Sequence, residues 1–331
     1  MPKISVVIPV YKVGKYIENS IKTVVAQRFR DFEIILVDNN TPDDSIDIAL
    51  EVLDGTGVDY MVVKQTIQGL PAARNKGIEE ANGEWIISID PDDTISPYFL
   101  EDLYYYATKC DLPVVFGEYD EVDENGLFEF PEERMMNTFE ILDRDFTMNN
   151  LLTRRLPLMV SNMFFKKSFF IEHNFQFDQS VILGADLMLV WKILLNLDKI
   201  GHLNKKLYNH FFRSDSLITA PSKKKIETNL AGYRKTCDYV SANYNKEFSE
   251  WIYARELYGL LSVVSIHGEY SMLKEIMHLH YTADIHRSLQ TFPDKRINVM
   301  DKLLFTCPRL FFFINKQFRQ PNSYLSKILH R

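Results

Sequence analysis

The first 120 or so residues switch repeatedly between two hydrophobic periods, and that switching leaves few folds open. Ile4–Val10, Phe32–Val37, Tyr60–Val63, Trp85–Ile89 and Val114–Phe116 are short apolar runs rich in β-branched side chains. The segments between them have helical spacing. Ile17, Ile21, Val24 and Val25 share one face, as do Ile46, Ala49, Leu50 and Leu53, and then Phe99, Leu100, Leu103 and Ala107. Strands alternating with helices predict βαβ units, hence an α/β fold with a mainly parallel sheet and right-handed crossovers. Ligands of such sheets lie beyond the carboxyl ends of the strands. Three of the expected strands run out there into polar residues: Tyr11–Lys12, Asp38-Asn39-Asn40 and Asp90-Pro91-Asp92-Asp93.

Composition narrows the function. A chain of 331 residues, 46% hydrophobic, can bury one large core or two. The net charge of −7 argues against nucleic acid as a partner. Cys110, Cys237 and Cys307 are widely spaced and odd in number, giving neither a disulfide framework nor a CxxC metal site. No secretory leader is evident at Met1, and no run approaches the roughly eighteen apolar residues of a spanning helix. The expectation is a soluble cytoplasmic protein. Residues 118–138 are acidic and punctuated by Gly and Asn, which fits a loop or hairpin, and from Ser222 onward the pattern is mostly helical. Two regions are therefore expected, 1–220 and a helical 221–331. The last forty residues interleave Leu, Phe and Ile with basic side chains, the composition of an interfacial helix lying on an anionic membrane. Docking on the main domain, or a contact between copies in a homo-oligomer, is the alternative.

The acidic strand end carries the chemistry. No GxGxxG follows the first strand and no GxxxxGK[ST] occurs, so the common glycine-rich phosphate cradles are missing. Asp90, Asp92 and Asp93 suit a hard divalent cation, Mn²⁺ or Mg²⁺, which takes one or two carboxylates and completes its shell with water and substrate phosphates. One acid there would serve as a cap for the following helix; three exceed what capping needs.

The stretches "ISVVIPVYKVGKYIENSIKTVVAQRFRDFEIILVDNNTPDDS" and "GLPAARNKGIEEANGEWIISIDPDD" together resemble the family-2 glycosyltransferases of the GT-A fold. A weaker likeness continues through "FDQSVILGADLMLVWKILL" to "KKLYNHFFRSDSLIT". The resemblance implies a nucleotide-sugar-binding half over 1–117 and an acceptor-binding half over 118–220. It places a nucleotide, commonly uridine, against Pro9 and Tyr11, where a tyrosine ring can stack on a base. Asp38 can accept the imide N–H of uracil. Arg74, near the start of a helix, is expected to meet the diphosphate. Asp90 is expected near the ribose and Asp92 on the metal, with Asp93 as a further candidate ligand. His210 is a candidate for the metal or the diphosphate, against the plainer reading of a packed histidine, and Arg213 for the phosphates.

An inverting transfer needs a base for the acceptor hydroxyl. Asp186 is the candidate, in register with the buried stripe Leu189, Val190, Ile193 and Leu197. Two departures from the family pattern stand out. Its Glu-Asp is Ala185-Asp186 here, and its Asp-Asp-Gly-Ser is Asp38-Asn39-Asn40-Thr41. The resulting expectation is a metal-dependent transferase that moves a hexose or N-acetylhexosamine from a UDP-sugar to a glycan acceptor, in capsule or lipopolysaccharide synthesis. A nucleotidyltransferase would need a glycine-rich triphosphate loop that "PVYKVGKY" lacks. A non-catalytic scaffold is the rival that the two departures leave open.

Overall fold

The computed structural model describes residues 1–122, 130, 139–181, 184–211 and 221–318. The chain divides into two compact units, Met1–Arg213 and Ser214–Arg331.

In the first unit the expected alternation forms, as β1 (Ile4–Val10), α1 (Ile17–Val25), β2 (Phe32–Asp38), α2 (Ser45–Leu53), β3 (Asp59–Lys64), α3 (Leu70–Glu80) and β4 (Trp85–Ser88). After it come β5 (Thr94–Ile95), α4 (Phe99–Lys109), β6 (Val114–Val122), β7 (Phe139–Asp143), α5 (Arg144–Leu152), β8 (Met163–Lys166), α6 (Lys167–Glu172), α7 (Ala185–Leu195) and β9 (Lys199–Phe211). The sheet runs β3-β2-β1-β4-β8-β6-β9-β5, and β7 pairs with β9. β3, β2, β1 and β4 are parallel neighbours, as the βαβ reading requires. β8 returns antiparallel to both β4 and β6, so the second half of the sheet is mixed. All seven residues of β1 are buried, which is why this strand reads as an unbroken apolar run instead of an alternating one. The edge strand β3 is largely exposed.

Register decides where the strand ends meet. Val10 pairs with Asp38, and Val7 pairs with both Ile35 and Ser88, so β1, β2 and β4 release their chains side by side at one mouth. Helix α3 packs tightly beneath that mouth. A Cβ at Gly77 would lie 2.2 Å from Val7 Cγ1 and 3.1 Å from Val37 Cγ2, so only glycine allows this approach. Arg74 lies one turn earlier on the same helix face. Gly77→Ala is accordingly expected to cost about 1–3 kcal/mol through overpacking. Thermal unfolding should show this as a midpoint lowered by several degrees.

The second unit is helical, as read from the sequence: α8 (Lys223–Asn243), α9 (Lys246–His267), α10 (Tyr270–His280), α11 (Ala283–Thr291), α12 (Lys295–Thr306) and α13 (Pro308–Phe318). α9 is its centre, burying Ile252, Leu257, Leu261 and Val264 against α8, α10, α11 and α13. No helix among the described residues is long and apolar enough to cross a membrane.

Candidate active site

Pro9 is buried inside β1, and the chain leaves that strand through Tyr11, which stays 42% exposed. Lys12 takes a left-handed conformation (φ 53°), and its Nζ lies 5.3 Å from the Tyr11 ring centroid. Its amide donates to Thr41 Oγ1 at 2.8 Å, while Asp38 Oδ1 accepts the Thr41 amide at 3.0 Å. The ends of β1 and β2 are thus stitched together through Thr41.

The departure at Asn39-Asn40 has a structural reason. Asn39 is buried and works in both directions. Its Nδ2 donates to the carbonyls of Gln65 (3.1 Å) and Ile67 (2.6 Å), and its Oδ1 accepts the Gly69 amide at 2.8 Å. Asn40, itself left-handed at φ 57°, donates to the carbonyls of Gln65 and Thr66, each at 3.0 Å. Donating to carbonyls is what an amide can do and an ionised carboxylate cannot. These two side chains fasten the loop that leads into α3, and so bear on where Arg74 sits. Sequence reasoning flagged both positions as departures without finding this task.

Arg74 is the buried centre of the site, with 1% of its side chain exposed. Nη2 donates to Asp90 Oδ1 at 2.6 Å and Nη1 to Asp186 Oδ1 at 2.5 Å. Phe177 covers the guanidinium at 5.4 Å from its centroid, and that segment is held by a reciprocal pair: Asn75 Nδ2 to Phe177 O and Phe177 N to Asn75 Oδ1, both 2.9 Å. Burial opposes the arginine's charge, but Asp186 and Asp90 outweigh it and hold the guanidinium more firmly protonated than usual. Among the described residues its buried Nε has no partner. The positive group that lets acids crowd the end of β4 is therefore, in the first instance, this arginine. The arginine meets two carboxylates in the structure; a diphosphate would have to share or displace them.

Asp186 sits in the first turn of α7, after Gly184 in a left-handed conformation (φ 88°). Leu189, Val190 and Ile193 of the same helix are buried as expected, whereas the Asp186 side chain remains 43% exposed. It stands at the rim, with Oδ1 tied to Arg74.

Asp93 belongs to the frame. It is 1% exposed, and Oδ1 accepts the Phe211 amide at 2.8 Å. Oδ2 accepts the Tyr208 hydroxyl at 2.5 Å and lies 3.3 Å from His210 Nδ1. Burial in turn raises the pKa of this carboxyl. For His210, burial works against the charged ring, but the bond to Asp93 and the charges of Asp93, Asp90 and Asp92 prevail and lift its pKa to about 9. As placed, Asp93 and His210 pair with each other. No cluster of three or more His, Cys, Asp or Glu side chains suited to a metal occurs among the described residues. Asp92, half-buried between these two pairs, fits the sparser mode in which one carboxylate and substrate phosphates hold Mg²⁺ or Mn²⁺. Arg213 lies outside the described residues. Tyr208 and Phe177 were missed in the sequence because an aromatic in an apolar strand or loop carries no local mark of a polar task.

The chain is 24% identical to a cholesterol galactosyltransferase of Borreliella burgdorferi over 91% of both chains. It is 27% identical to glycosyltransferase GlyA of Streptococcus pneumoniae over 67% of this chain, and there it spans only 32% of the relative's length. In structure it superposes on S. aureus TarS (residues 1–349, crystallised with UDP-GlcNAc) with a TM-score of 0.62 at 17% identity, covering 97% of this chain and 93% of that one. The model for "Glycosyl transferase family 2" matches residues 5–174, a stretch that takes in the whole parallel half of the sheet with Asp38, Arg74, Asp90, Asp92 and Asp93. On that match, covering half of the chain, it belongs to glycosyl transferase family 2 and is a glycosyltransferase with a GT-A-like fold.

Proposed function

We propose that this enzyme transfers a hexose or N-acetylhexosamine, with inversion, from a UDP-sugar to a hydroxyl of a glycan acceptor in the synthesis of a surface polysaccharide such as capsule or lipopolysaccharide. The observation that carries the reading is the guanidinium of Arg74 shared by Asp90 and Asp186. It ties an acid at the end of a parallel strand, where donors bind in such sheets, to an acid 96 residues further along the chain. The TarS crystal with UDP-GlcNAc supports the donor class, and the likeness to a cholesterol galactosyltransferase supports an acceptor with a lipid portion. Such an acceptor in turn suits work at the inner face of the cytoplasmic membrane.

In this mechanism Tyr11 stacks on the uracil and Asp38 accepts its imide N–H, while Asp90 meets the ribose. Mn²⁺ or Mg²⁺, held by Asp92 with the donor's phosphates, would neutralise charge on the departing diphosphate. Asp186 takes the proton of the acceptor hydroxyl. The freed oxygen forms a bond to the anomeric carbon from the face opposite UDP, and the bond from that carbon to the phosphate oxygen breaks with its electron pair leaving on the diphosphate. Arg74 fixes Asp186 Oδ1, so the remaining oxygen is the one turned to the acceptor.

Titration calorimetry with UDP, GDP and CDP, with and without Mn²⁺, tests the donor site. UDP alone should bind, with Mn²⁺ strengthening it, and Asp92→Asn should remove most of the Mn²⁺ effect. Equal binding of all three nucleotides, or none, would overturn the donor assignment.

A further inference from the structure

Among the described residues, α12 and α13 expose both basic and apolar side chains. On α12 and α13, Val299, Phe305, Leu310 and Phe313 are each 45–66% exposed. Basic side chains interleave with them: Val299 lies four residues after Lys295, Lys302 stands between Val299 and Phe305, and Arg309 precedes Phe313 by four. From Lys295 to Lys316 there are five basic residues and a single acid, Asp301. That acid is fully buried, paired with His286 at 2.7 Å and accepting from Gln290 Nε2 at 2.6 Å and from the Tyr281 hydroxyl. Asp294, just before α12, is also buried; it caps the helix by accepting the Arg296 amide at 2.9 Å and pairs with the Arg296 guanidinium at 2.8 Å, which leaves Lys295, Lys302, Arg309 and Lys316 as the other basic groups of the segment. The acids of the segment are thus spent inside the unit, and its exposed charge is positive although the chain as a whole is at −7.

We propose that α12 and α13 make a peripheral contact with an anionic phospholipid surface. Val299, Leu310 and Phe313 enter the boundary between headgroups and acyl chains, and Lys295, Lys302 and Arg309 lie against the phosphates. Neither helix can span the bilayer, so the contact is lateral. Charge separates this occupant from a second copy of the chain. A two-fold contact through this face would set like charges against each other, whereas an anionic bilayer complements them. The inference does not depend on which sugar is transferred, and its test needs no turnover.

The experiment is flotation of the full chain with vesicles of phosphatidylcholine alone and of phosphatidylcholine containing about one third phosphatidylglycerol, at low and high salt. Binding should require the anionic lipid and weaken with salt. Lys295→Gln/Lys302→Gln/Arg309→Gln should lower partitioning about a hundredfold, near fivefold per charge. Leu310→Ser/Phe313→Ser should lower it at least about tenfold. These positions are chosen over Phe305, whose ring stacks on His286 at 4.0 Å and supports the fold. Circular dichroism confirms that the variants stay helical. Failure to float with anionic vesicles, or flotation that neither variant changes, overturns the proposal. So does a chain that fails to float but forms a dimer that Leu310→Ser/Phe313→Ser abolishes.

Discussion

Asp186→Asn should lower kcat by about 10²–10⁴-fold, the range over which a positioned base contributes, while leaving the affinity for UDP close to that of the parent. The substitution is mild structurally. The side chain is 43% exposed, and an amide oxygen can still accept from Arg74 Nη1, so folding should be little affected. What the amide cannot do is take a proton from the acceptor. Steady-state rates with a UDP-sugar donor, measured beside UDP titrations, separate the two effects. Unchanged turnover would move the base elsewhere; joint loss of turnover and UDP affinity would mean that Asp186 serves the donor.

The second large effect should come from Arg74→Met, which keeps the bulk but removes the fork. Removing one partner of a fully buried ion pair costs about 3–5 kcal/mol. Here Asp90 and Asp186 are 22% and 43% exposed and can recruit water, so about 1–3 kcal/mol is the better expectation. Turnover should fall as well, because Asp186 loses the contact that sets its position. Arg74→Lys should restore little, since an ammonium cannot hold two carboxylates in the planar geometry of a guanidinium. A double-mutant cycle carries the argument. If Arg74 acts on the rate through Asp186, Arg74→Met should change kcat far less in an Asp186→Asn background. Additive losses would instead give the two residues separate tasks.

The parallel half of the molecule was legible because its signals are local. Ile4–Val10 and the strands after it announce themselves by β-branched apolar runs, and α4 by the buried stripe Phe99, Leu100, Leu103 and Ala107. The polar strand ends were legible for the same reason, since topology alone sends them to one mouth. Partnerships were another matter. Arg74 reads as a helix arginine suited to phosphate, and nothing nearby in the sequence reveals that one of its partners lies 112 residues away. Asp93 reads as one more acid of the strand end, and nothing near it reveals that Tyr208, His210 and the Phe211 amide reach it from a strand more than a hundred residues later. The antiparallel return of β8 was hidden likewise, because strand direction depends on long-range pairing and leaves no periodic trace.

Those three contacts to Asp93 also bear on how the protein comes apart. Loops ordinarily open first, in local fluctuations that leave the core intact. The acidic loop after β4 is different, because its last carboxylate is clasped by β9, and β9 in turn is hydrogen-bonded to β5, β6 and β7. Freeing the loop means unzipping the strand at the heart of the mixed half. The acidic loop and the sheet are therefore expected to open as one cooperative unit, so that the Asp93 amide, which donates to Asp90 O, should exchange only when β9 opens.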